Sequence, residues 1–220
     1  MRRIQKWILL LLVVLSCGKK ETPRYQLCND LLGCTGTILD PYCTFGFKWG
    51  DGNPFSNAGA GKPGPSIGPV VITYTFADAG RIFSTHSQDN LTSRSFSDLP
   101  SCSKDTIRHA LARWEAVAGI SFVESGPGSN LTFIMGDISQ SGVSFPPFPQ
   151  PPCSDLAGQV AFQHDSNRSC KLLFELALHE IGHALGLGHV QSPNVMNPKI
   201  QFVELQGGDI AGVQSIYGRK

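Results

Sequence analysis

The apolar positions of this chain fall into two regimes. An unbroken run from Trp7 to Leu15 is followed by a stretch, residues 18–69, with no helix or strand period long enough to build on. Regular patterning begins at "VVITYTFA", β-branched and aromatic and ending at "DAG", which predicts a strand before a turn. "SKDTIRHALARWEAVAG" then places Ile107, Ala110, Leu111, Trp114 and Val117 at helical spacing, with Ser103 as N-cap, Asp105 in the first turn and Gly119 as the stop. His109 falls on the polar side of that helix and reads as a solvated surface residue. "ISFVE" and "NLTFIMGD" predict two short strands split by the "SGPGS" turn. Five prolines in "SGVSFPPFPQPPC" argue for an extended surface loop, because proline removes ladder donors. "LAGQVAF" reads as one more strand, with an edge as a candidate position. Finally, Leu172, Leu176, His179 and His183 share one helical stripe, so a face that starts apolar ends in imidazoles. Strand, helix, strand, strand predicts an α+β domain with a helix packed on a mixed sheet.

The first run has another meaning. "MRRIQKWILLLLVVLS" couples a basic start to nine apolar residues and a small Ser16, the layout of an export signal over 1–16 and too short for a spanning helix, which needs about 20. Losing Arg2, Arg3 and Lys6 with it takes the formal charge from +1 to about −2, which invites no nucleic acid. "VLSCGKK" resembles a bacterial lipoprotein box. Cleavage there leaves a lipid-carrying Cys17 and a membrane-anchored, exported protein; cleavage at a nearby small residue leaves a soluble one.

Six further cysteines, 28, 34, 43, 102, 153 and 170, read as up to three disulfides in an exported chain, with fifteen possible pairings. Three precede residue 66 and three follow it. If all pair, an odd number of bridges must join the two parts. The expected organisation is a cysteine-containing linker segment at 17–65 and a folded domain at 66–220. A monomer is the default expectation.

"HEIGHALGLGH", 179–189, carries the chemistry. His179 and His183 lie one helical turn apart and can direct ring nitrogens at one ion, while Glu180, offset by about 100°, sits beside the ion as a base. Gly186 can take a positive φ that lets the chain leave the helix and return His189 as third ligand. Three nitrogens leave a fourth position open, as in catalytic rather than structural zinc sites.

That stretch resembles the long zinc signature of the metzincin peptidases, and "SPNVMNP" resembles their methionine turn, with Met196 as a polarizable floor under the histidines. "ITYTFAD", the Trp114 helix, "LTFIMGD" and "GDIAGVQSIYG" are similar to the matrixins in particular, over Pro69 to Gly218. The resemblance implies a twisted, mostly parallel sheet with an antiparallel edge strand beside the cleft, an active-site helix and a C-terminal helix. It also implies zinc-dependent hydrolysis of protein or peptide substrates, with Glu180 as general base and a pocket wall near Pro198, Ile200 and Phe202.

Departures narrow this expectation. Val190 stands where many matrixins carry serine or threonine, and no Pro-Arg-Cys-Gly switch occurs. His164 is alone between Gly136 and Cys170, where many members bind a second zinc, so a single zinc is expected; Asp137, Asp165 and Asn167 are the candidates for a Ca2+ site. Two other readings stay open. One is a zinc-stabilised surface-binding lipoprotein without catalytic activity, which has no use for Glu180. In the other, the N-terminal segment is inhibitory, offering Cys28, Cys34, Cys43, Asp30, Asp40 or Asp51 as a fourth zinc ligand.

Overall fold

Val70, Ile72, Tyr74 and Phe76 are buried along one face of a strand whose Val71 is exposed, the period-two pattern of a half-buried strand. A computed structural model of the chain describes residues 24–34, 39–50, 68–84, 90–148 and 151–220. The expected export signal at residues 1–16 and Cys17 lie outside the described residues. In chain order the elements are α1 (Arg24–Asp30), β1 (Cys43–Thr44), β2 (Val70–Phe76), β3 (Ile82–Ser84), β4 (Asn90–Arg94), α2 (Ser103–Glu115), β5 (Ile120–Glu124), β6 (Leu131–Gly136), β7 (Gly142–Ser144), β8 (Gln159–Gln163), α3 (Cys170–Ala184), β9 (Leu187–Gly188) and α4 (Gly207–Tyr217).

Five strands run β5, β2, β6, β8, β7 across the sheet. The first four are parallel and β7 is antiparallel to β8. The β3–β4 hairpin joins the far end of β6. Parallel neighbours need crossovers, and α2 supplies the one between β2 and β5. Helices α2 and α3 meet at fully buried Trp114, whose indole N–H donates to the Leu178 carbonyl at 3.1 Å. This is the expected α+β architecture with an antiparallel edge.

Several expectations need correction. The proline-rich stretch is not all surface loop: Gly142–Ser144 is the edge strand β7, and Phe145 and Phe148 are buried. All five prolines come after Ser144, so the ladder ends before the first of them. Strand β8 is internal, because β7 covers it. Leu172 is 57% exposed and Leu173 is buried instead. From Leu176 to Ala184 every residue of α3 is buried, so spacing alone could not place the core face in the first turn. Helix α2 begins at Ser103, whose hydroxyl donates to the Pro100 carbonyl, with Cys102 in the cap position. It ends at Glu115; Gly119 serves close approach, since a Cβ there would meet the Tyr217 carbonyl at 2.6 Å.

The largest difference concerns the stretch before residue 66, which lacked any readable period. It contains α1 and β1. Cys28 is bonded to Cys153, Cys34 to Cys43 and Cys102 to Cys170, so one bridge joins the early cysteines to the later ones. Around the first bridge Phe45, Phe47, Phe145, Phe148 and Leu156 form a second apolar cluster. Strand β1 pairs antiparallel with β9, directly before His189. These elements are too short to show a period, and their partners are more than a hundred residues away.

Candidate metal centre and active site

Helix α3 begins where the Ser169 hydroxyl accepts the Leu172 N–H and stops after Ala184. Gly186 adopts φ +105°, as expected for the break, and has a second reason to be glycine: a Cβ would run into the Phe47 carbonyl oxygen. Its own carbonyl accepts the Phe45 N–H at 2.9 Å. Leu187 and Gly188 then pair with Thr44 and Cys43, and His189 follows.

The three histidines converge. Their Nε2 atoms lie 3.1 Å (His179 to His183), 3.1 Å (His179 to His189) and 3.0 Å (His183 to His189) apart. His179 Nδ1 donates to the Val195 carbonyl and His183 Nδ1 to the Leu187 carbonyl, both at 2.7 Å, which leaves the Nε2 lone pairs aimed at a common point. Nitrogens about 2.0–2.1 Å from a tetrahedral zinc stand roughly 3.4 Å from one another, so this set fits the ion with a small outward relaxation. Burial lowers the His179 pKa to about 4, and lowers those of His183 and His189 as well. Neutral imidazoles are the form that binds metal. Among the described residues these histidines are the group with mutually close ligand atoms.

Glu180 lies with them on a cavity of about 690 Å³. Burial pushes its carboxyl up to about 7, against the opposing hydrogen bond from Ser144. A divalent cation nearby draws such a value back down. Pro198 and Ile200 also line the cavity, whereas Phe202 does not and packs part-buried against the main core. Met196 is buried, with its sulfur where a Gly182 side chain would stand, in the turn of α3 between His179 and His183.

Two supports were not singled out in the sequence. Asp209 is buried in α4, and its carboxylate accepts the N–H groups of Val195 (2.9 Å), Met196 (3.1 Å) and Gln206 (2.8 Å). It thereby fixes the turn whose Val195 carbonyl orients His179. The available signal was Gln206 and Asp209 at capping-box spacing. Ser144, hidden inside the proline-rich stretch, places its hydroxyl on Glu180.

Asp137 pairs with Arg94 at 2.5 Å, and Asp165 Oδ1 accepts the Asn167 N–H. His164 lies 4.0 Å from Asp98 Oδ2. Cys34 and Cys43 are bonded to each other and Cys28 to Cys153, so none of the three offers a thiolate to the metal. Cys34 nonetheless approaches the centre, with Sγ 3.8 Å from the His189 carbonyl oxygen.

Comparison with known proteins agrees with this geometry. The matrixin family profile matches residues 85–218, more than half of the chain. Metalloendoproteinase 4-MMP of Arabidopsis thaliana is 28% identical over 174 residues, covering 68% of this chain and 46% of that protein. Interstitial collagenase of Bos taurus is 29% identical over 178 residues (70% and 36%), and stromelysin-2 of Rattus norvegicus 32% over 144 (56% and 30%). The chain spans less than half the length of these relatives. With His179 and His183 on α3 and His189 just beyond β9 forming its zinc site, the chain belongs to the matrixin family of metallopeptidases.

Proposed function

We propose that the protein is an exported zinc endopeptidase that hydrolyses peptide bonds of protein substrates. The observation that carries this is the convergence of three Nε2 lone pairs on one wall of the cavity that the Glu180 carboxylate also lines. Zinc held there supplies Lewis acidity to a scissile carbonyl and acidifies water at the centre. Glu180 accepts the proton of the attacking water at its carboxylate and returns it to the leaving amine. Its burial keeps bulk solvent from competing for that proton. Met196 packs against α3 at Gly182, between the two helix histidines, and Pro198 and Ile200 form part of an apolar substrate wall.

The N-terminal segment is best read as a retained part of the enzyme. Asn29, Leu32, Cys34 and Phe45 line the same cavity as the histidines, and the Cys28–Cys153 bridge holds the segment after any backbone cut between residues 34 and 70. Three disulfides suit an oxidising, extracytoplasmic compartment. The Cys17 sequence supports a lipid anchor, for which mass spectrometry of the mature N-terminus is the direct measurement.

The deciding experiment compares Glu180→Ala with wild type for zinc content and for digestion of casein or gelatin. Zinc-loaded wild type digests the substrate, and Glu180→Ala binds zinc equally but does not. Full activity of Glu180→Ala would remove the assigned base; an inactive, zinc-loaded wild type would remove the peptidase reading.

A further inference from the structure

Strand β7 touches the Glu180 side chain at two points. Ser144 Oγ lies 2.7 Å from Glu180 Oε2 and 2.7 Å from the Glu180 backbone carbonyl oxygen. Two residues earlier, a Cβ on Gly142 would stand 2.7 Å from Glu180 Oε1 and 3.0 Å from both Cδ and Cγ. Residues two apart on a strand face the same side, so one edge of β7 presents a hydroxyl to one carboxylate oxygen and a bare Cα to the other.

We infer that Gly142 and Ser144 form a clamp that fixes the direction of the Glu180 carboxylate, with Ser144 as a positioning residue for proton transfer. This rests on the peptidase reading of the same site. The carboxylate is buried, and a long side chain on a helix has several rotamers at that depth. Ser144 selects one by donating to Oε2, which leaves Oε1 over Gly142 and available to the cavity. Gly142 lines that cavity as well, and any larger residue there would push Oε1 out of place.

The two oxygens of Glu180 have separate tasks. Glu180 takes the proton of the attacking water at Oε1, so Oε2 remains an acceptor and Ser144 donates to it before and after the transfer, while Ser144 Oγ also stays 2.7 Å from the Glu180 backbone carbonyl oxygen. Both ends of the proton transfer are therefore hydrogen-bonded without movement of a heavy atom. The carbonyl belongs to the helix ladder already, so this contact is not needed to complete α3.

A purely structural tie between β7 and α3 predicts different behaviour. The test measures kcat, KM, bound zinc and thermal midpoint for wild type, Ser144→Ala, Ser144→Thr and Gly142→Ala on one peptide substrate. The expected result for Ser144→Ala is a kcat about tenfold to a hundredfold lower, the worth of one hydrogen bond to a charged group, with zinc content and KM unchanged. Ser144→Thr, which keeps the hydroxyl, recovers most of the loss, and Gly142→Ala lowers kcat with zinc still bound. Wild-type kcat in Ser144→Ala, equal impairment of the Ala and Thr variants, or zinc loss in step with activity overturns the clamp. Absence of turnover in zinc-loaded wild type strikes the peptidase reading instead, so the two failures are distinguishable.

Discussion

Thr44 is paired with Leu187 in an antiparallel bridge, and the Leu187 carbonyl is the group that orients His183 through Nδ1. A residue far outside the zinc signature thus sits two contacts from a metal-binding histidine. Phe45 extends the arrangement: it is buried, its ring stacks on His183 with centroids 5.9 Å apart, and its N–H donates to the Gly186 carbonyl. Partners at this remove from a metal are worth about 10- to 100-fold in affinity, and loss of a buried Phe side chain costs about 3–5 kcal/mol. Phe45→Ala is therefore expected to lower both stability and zinc affinity, read by thermal denaturation and competition with a zinc indicator. Unchanged zinc affinity would reduce the segment to ordinary packing.

The bridges differ in what they span. Cys28–Cys153 closes a separation of 125 residues and Cys34–Cys43 one of 9. On the chain-entropy account the longer loop contributes about 2 kcal/mol more. Double serine replacement of Cys28 and Cys153 is expected to lower the denaturation midpoint well beyond replacement of Cys34 and Cys43. Equal losses in denaturant titrations would show that native-state packing, rather than loop closure, sets the difference.

Zinc is expected to stabilise the fold as well as to support activity. A ligand at a thousandfold its Kd adds about 4 kcal/mol to the folded state. Chelation should thus lower the thermal midpoint of wild type and of Glu180→Ala alike, and change His183→Ala much less. A calorimetric scan with and without chelator separates these cases, and a midpoint of Glu180→Ala that ignores zinc would place the carboxylate among the ligands.

Asp209→Asn tests the support beneath His179. The carboxylate receives three backbone N–H groups on its two oxygens, and an amide must turn a donor toward at least one of them. Each unsatisfied buried group costs about 1–3 kcal/mol. The expected outcome is a destabilised protein with weaker zinc binding, since Val195 and Met196 lose their anchor. Wild-type stability in urea titration would contradict this.

Acid should weaken one exposed contact in a defined direction. Hydrogen bonding to Arg108, opposed by partial burial, holds the Glu124 carboxyl below its ordinary value. A depressed folded pKa contributes stability above the unfolded value of about 4.5, lost as pH falls through the lowered folded value. Solvent screening keeps the effect under about 1 kcal/mol. Glu124→Gln should therefore be less stable than wild type at neutral pH, with the gap narrowing as pH falls below about 4.5 and through the lowered folded value. A gap that does not narrow in acid would assign the loss to packing.

What the sequence determined by itself is local or nearly so. His179, Glu180 and His183 are fixed by helix pitch, Gly186 by the need for a positive φ, and β2, α2, β5 and β6 by hydrophobic period, because each depends on neighbours within a few turns. Parity alone required an odd number of bridges between the two groups of cysteines, and Cys28–Cys153 is that bridge. Tertiary structure decided everything that rests on distant pairing. β1 is two residues long and becomes a strand only because Leu187 and Gly188 are there to pair with it; β7 is three residues long and gains its meaning from Glu180, 36 residues away from Ser144. Asp209 is an ordinary capping residue until the turn at Val195 folds over it. Periodicity needs length, and the elements that brace this metal centre are too short to have any.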